Sequence, residues 1–111
     1  MTANTMNIDG YTAVIAYDPE LEMFRGEFLQ LNGGADFYAP DVVGLRREGA
    51  ISLQVFLQAC AEKGIEPRKR YSGRLLLRVD PALHETAALA AAASGQSLNK
   101  WVEDVVLQAV R

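Results

Sequence analysis

Between Gly73 and Val79 apolar and basic positions alternate, with Leu75, Leu77 and Val79 on one side of an extended segment and Arg74, Leu76 and Arg78 on the other. The pattern predicts one short strand that separates a core face from a contact face. A lone strand leaves a row of backbone donors and acceptors unpaired, so the simplest partner is the same strand of a second copy. Such a two-fold ribbon, basic on its outer face, is of a size and charge to enter the DNA major groove. Asp80-Pro81 ends the strand and opens a helix, because a carboxylate caps free amides and proline needs no amide donor at the first helical position. That helix runs to about Ser94 and includes the strong helix-forming run Ala87 to Ala93. Gly95 stops it and Ser97 caps the next, in which Leu98, Trp101, Val102, Val105, Val106 and Ala109 form an unbroken apolar stripe. Valine is a mediocre helix former, so this second helix depends on packing for its stability.

The first half of the chain has strand periodicity followed by a helix. Tyr11 to Tyr17 is β-rich, Asp18-Pro19-Glu20 turns the chain, and Leu21 to Leu29 returns with Phe24 and Phe28 on one face. Asn32-Gly33-Gly34 turns it again before a third short strand, Ala35 to Ala39, closed by Pro40. Asp41 then caps a helix to about Lys63, with Val42, Leu45, Leu53, Phe56 and Cys60 close to one stripe and with Gly44 and Gly49 as weak points. Gly64 ends that helix, and the stretch to Arg70 reads as a hinge whose three basic residues either stay solvated or follow phosphates. The expected architecture is α+β: a three-stranded antiparallel meander plus a helix over 1–66, then a linker and a dimerising strand-helix-helix module over 67–111.

Charge sharpens this division. The overall −3 is made of four Lys+Arg against ten Asp+Glu in residues 1–66 and seven against four in residues 67–111. Only the second part suits a polyanion; the first suits a basic protein partner. No apolar run approaches the roughly 20 residues that span a bilayer, and the first nine residues lack the basic start and apolar core of a signal peptide, so a cytoplasmic location is expected. Catalytic candidates are poor. His84 is the only histidine, Cys60 the only cysteine, and the carboxylates do not converge as two-metal nuclease chemistry requires, so neither enzyme activity nor a cofactor or metal is expected. Trp101 is expected to anchor the helix pair or the dimer.

The order strand, helix, Gly95-Gln96-Ser97, helix, with Tyr71-Ser72-Gly73-Arg74 ahead of it, resembles a ribbon-helix-helix DNA-binding domain. That resemblance implies base contacts from Arg74, Leu76 and Arg78. Arginine bonds guanine in a bidentate fork, and Leu76 offers an apolar contact to a thymine methyl. It also implies phosphate contacts at the amino end of the second helix, from Ser97, Leu98, Asn99 and Lys100. The plainer alternatives are a solvated strand face and a simple helix cap.

Taken whole, with Tyr11-Thr12-Ala13-Val14-Ile15, Phe24-Arg25-Gly26-Glu27, Lys63-Gly64-Ile65-Glu66-Pro67 and Leu83-His84, the chain resembles the HicB family of antitoxins, whose amino-terminal half has a partial ribonuclease-H-like fold. The resemblance implies an antitoxin of a type II toxin-antitoxin system. Its first domain would neutralise a small basic HicA-like mRNA-cleaving ribonuclease toxin, through residues the sequence does not identify. Its second would bind double-stranded promoter DNA as a homodimer, with tetramers as a further assembly, and repress the shared operon. The alternative is a stand-alone ribbon-helix-helix transcriptional repressor whose first domain senses a ligand or only oligomerises.

Overall fold

The computed structural model describes residues 4–111, so the reading of the first nine residues rests in part on residues 1–3, which lie outside it. The chain divides between Tyr71 and Ser72 into two compact units.

The first unit is a four-stranded antiparallel sheet in the order β1-β2-β3-β4, made of β1 (Thr5–Ile8), β2 (Tyr11–Asp18), β3 (Met23–Phe28) and β4 (Asp36–Ala39), with helix α1 (Val42–Lys63) packed on one face. The sheet therefore has one strand more than the expected meander of three. β1 pairs with β2 from Thr5 opposite Val14 to Ile8 opposite Tyr11. The hairpin between them is the two-residue turn Asp9-Gly10, both with positive φ, as a turn matching the strand twist requires, and the Asn7 side chain accepts from the Gly10 amide at 3.1 Å. β2 is rich in β-branched and aromatic residues, and its pairing with β3 from Ala13 opposite Phe28 to Asp18 opposite Met23 forms the sheet's centre.

Alternation places Ala13, Phe28, Phe37 and Ala39 beneath α1, where they meet Leu45 and Leu53. The helix is continuous across Gly44 and Gly49, and the reason both are glycine is close approach. A Cβ on Gly49 would overlap the Ile8 side chain and come within 3.0 Å of the Phe37 ring; one on Gly44 would lie 2.9 Å from Ala39 Cβ. Val42, expected on the buried stripe, is exposed because it belongs to the first turn, before the helix settles on the sheet. Asp41 caps the helix by accepting from the Gly44 amide at 2.7 Å. Its far end closes with Gly64 in the left-handed region, the Ile65 amide bonding the Cys60 carbonyl and the Gly64 amide that of Ala61.

The stretch after α1 is not a free hinge. The Asn32 amide donates to the Pro67 carbonyl at 3.0 Å and the Lys69 amide to the Gln30 carbonyl at 2.9 Å. The Asn32 side chain holds the Glu66 and Arg68 carbonyls at 2.8 and 3.1 Å. Residues 66–69 are thereby strapped to the loop after β3.

The second unit, Ser72–Arg111, contains α2 (Pro81–Ala93) and α3 (Leu98–Ala109). Asp80 caps α2 by accepting from the Ala82 amide at 2.8 Å with Pro81 at its start, and Gly95, at φ 71°, turns the chain out of it. Ser97 caps α3 by accepting from the Lys100 amide at 3.1 Å. The expected strand over Gly73–Val79 is not formed as a paired strand, because the single chain offers its backbone no ladder. Among the described residues of this unit only Ala91 is buried.

Candidate nucleic-acid interface

Residues 73–79 approach the helices with their two sides distinct. Leu77 and Val79 line an apolar groove of about 550 Å³ together with Leu83, Trp101, Val102 and Val105, while Leu76 turns outward and is 86% exposed. Leu75 is itself 72% exposed and, with Leu77, borders a smaller hollow beside Val102 and Val106. The apolar side of the segment and the stripe of α3 thus face one another across a core that is only partly filled. Trp101 lies half-buried in this groove, and α2 lines it with the half-buried Ala87 and Ala90 and the exposed Leu83 and His84. Arg74 and Arg78 are exposed on the same seven-residue segment as Leu76, and Ser72 Oγ accepts from the Arg74 amide at 3.0 Å.

At the start of α3, Ser97 Oγ is taken up by the cap, and among the described residues no acceptor engages the amides of Leu98 and Asn99. Two first-turn amides and the positive helix end therefore point outward, the arrangement that suits an anion. Asn99 borders the hollow that Gly73 and Leu75 also line, so the helix end and the beginning of the arginine-bearing segment are neighbours. Lys100 stands differently from its expected role. Its ammonium lies 3.3 Å from Asp104 and 3.9 Å from Glu103. Asp104 also accepts from the Gln96 side-chain Nε2 at 2.6 Å, and that bond, followed by Lys100, holds its carboxyl below the usual carboxylate range. The spacing of Lys100 to Glu103 and Asp104 is legible in the sequence as i,i+3 and i,i+4; the Gln96 bond, across a helix cap, is not.

Arg68 is also taken up. It donates to the Gly10 carbonyl at 3.0 Å and its guanidinium stacks 3.9 Å over the Tyr11 ring, so this linker charge belongs to the first unit. On the open face of the sheet Arg25 sits between Glu27 at 2.7 Å and Asp36 at 3.2 Å, and these carboxylates, Glu27 foremost, raise its guanidinium pKa above the ordinary value. The acidity of this unit resides on its sheet half: residues 4–41 carry one Lys+Arg against seven Asp+Glu, whereas α1 carries three against two.

A small sheet-and-helix unit joined to a capped helix pair with an unfilled apolar groove and an adjoining basic segment defines the class: a two-unit α+β protein whose second unit lacks a complete core of its own. The HicB family model matches residues 56–106, from the last turns of α1 through the strapped linker and α2 to most of α3, so this part of the chain is similar to that family. No curated protein and no solved structure matches it. Among the described residues no helix is long and apolar enough to cross a membrane.

Proposed function

We propose that this protein is an antitoxin that neutralises a HicA-like mRNA-cleaving ribonuclease toxin through its first unit and represses its own operon through its second. The match of residues 56–106 to the HicB family model is consistent with an antitoxin role in a toxin-antitoxin pair. The observation that carries the DNA half is the state of residues 73–79: an unpaired segment, basic and outward on one side, whose other side borders a half-filled groove. A second copy pairing there would satisfy the backbone and cover Leu75, Leu77 and Val79 in one step, and would set Arg74, Leu76 and Arg78 from both copies side by side as base readers. The outward amides of Leu98 and Asn99, with the Ser97 cap, would then grip phosphates and fix the register.

The toxin-binding half rests on charge. The acidic sheet half would cover the basic RNA-binding face of a ribonuclease and deny it to substrate, with no catalysis by the antitoxin itself. Action in the cytoplasm, without cofactor, belongs to the same proposal.

Two measurements test it. Changing Arg74 and Arg78 together to alanine is expected to weaken binding to the DNA upstream of the gene by at least 100-fold, at roughly 1–3 kcal/mol for each lost base contact in each of two copies, with the dimer intact. Unchanged affinity would refute the ribbon assignment. A small basic reading frame is expected beside this gene, and its expression is expected to arrest growth, with relief on co-expression of this chain; absence of such a frame, or arrest without relief, would leave the stand-alone repressor as the better reading.

A further inference from the structure

The amino end of α3 carries one ammonium and, within the next turn, two carboxylates. Lys100 Nζ is 3.3 Å from Asp104 Oδ1 and 3.9 Å from Glu103 Oε2, so the lysine is flanked on both sides along one helix face. Asp104 is fixed from a second direction, because Gln96 Nε2 donates to its other oxygen at 2.6 Å. Gln96 in the loop ahead of the helix and Lys100 in its first turn thereby hold the carboxylate between them. Gln96 and Lys100 are both donors, and both favour the charged form of Asp104.

The consequence is electrostatic. A phosphate seated on the outward amides of Leu98 and Asn99 would lie beside Lys100, Glu103 and Asp104, a group in which negative charge outweighs positive. Counterion release counts only cations that reach phosphates, so a lysine bound to its own helix contributes less than one that extends to the duplex. Resting on the reading that this end of the unit faces duplex DNA, we infer that Asp104 is a positioning residue that holds Lys100 back from the phosphates. It sets DNA affinity below what the helix end and its lysine would reach together. Lys100 is thus a latent contact, and Asp104 with Gln96 is the device that keeps it so. A repressor of moderate affinity is one that a partner or a second dimer can tune.

The test uses the full chain and a duplex taken from directly upstream of its reading frame, titrated between about 50 and 200 mM salt. Asp104→Asn removes the charge but keeps an oxygen for Gln96. It is expected to bind roughly threefold tighter, with a log–log salt slope steeper by about 0.9, the increment of one further phosphate contact. Lys100→Ala is expected to cost more in the Asp104→Asn background than in the native chain and to cancel the gain there. Glu103→Gln, which removes only the more distant carboxylate, is expected to give a smaller gain of the same sign, and it stands in if Asp104→Asn alters thermal melting. Additive effects of the Asp104 and Lys100 changes, or unchanged or weaker binding by both carboxylate variants with melting preserved, would overturn the inference. Absence of DNA binding by the native chain and by every variant would overturn the DNA reading itself, and the inference with it.

Discussion

Gly49 shows how much one missing methyl group decides in this fold. It lies mid-helix, where alanine would ordinarily stabilise by about 1 kcal/mol. Here the added methyl would overlap Ile8 and press on the Phe37 ring, in a core where neither side chain has an open side. Overpacking of that kind costs about 1–3 kcal/mol, and the helix gain offsets only part of it. Gly49→Ala is therefore expected to lower the stability of the first unit by up to about 2 kcal/mol in urea titrations of the full chain. Gly34→Ala, where a Cβ would meet nothing within 4 Å, is expected to change it by less than about 0.5 kcal/mol. A more stable Gly49→Ala variant would mean that α1 does not press on the sheet as described. Gly26 follows the same logic from the strand side, its space being filled by the ring of its cross-strand neighbour Phe37.

At the scale of elements, what the chain discloses depends on whether the deciding interaction is local. The caps were legible because Asp41, Asp80 and Ser97 bond amides two or three residues on, and α1, α2 and α3 begin where those residues predict. β1 was legible in principle: Asp9-Gly10 is among the strongest two-residue hairpin signals, but Thr5–Ile8 is too short to announce a strand by periodicity alone. The glycines of α1 were ambiguous, since sequence displays their propensity cost and not the strand they let approach. The strap over residues 66–69 had no local sign at all, because its bonds, from the Asn32 side chain and from backbone amides, join groups more than thirty residues apart. For the residues proposed to meet DNA, type and spacing were legible in Arg74, Arg78 and Ser97, and the Lys100–Asp104 pair in its i,i+4 spacing, whereas the Gln96 bond that also holds Asp104 crosses a helix cap and left no sign in the sequence. The strap makes its own prediction. Asn32→Ala removes two side-chain bonds to the Glu66 and Arg68 carbonyls, and hydrogen exchange at the Lys69 amide is expected to quicken about tenfold or more, with α1 unaffected. Unaltered exchange at Lys69 would show that the backbone bonds and Arg68 hold the strap without Asn32.

For the whole molecule the deciding contrast lies between its two units. The first closes a core around Leu45, Leu53, Phe28 and Phe37, while in the second only Ala91 is buried among the described residues, and Leu75, Leu77 and Val79 stand exposed beside the groove. A stretch of about forty residues with so little buried apolar surface does not reach independent stability and ordinarily needs a partner. If a second copy is that partner, folding of α2 and α3 is coupled to association, and the transition of this unit must shift with protein concentration. A tenfold dilution is expected to lower its thermal midpoint by roughly 5 °C, while the transition of the first unit stays in place. Leu77→Asp puts a carboxylate into the groove that the partner strand would close, and is expected to yield a monomer in sedimentation that has lost the helical signal of α2 and α3 but keeps that of α1. A native chain that sediments as a monomer at micromolar concentration with all three helices formed would refute the coupling. It would also remove the physical basis for a two-fold ribbon, because Arg74 and Arg78 of one copy would then have no counterpart beside them.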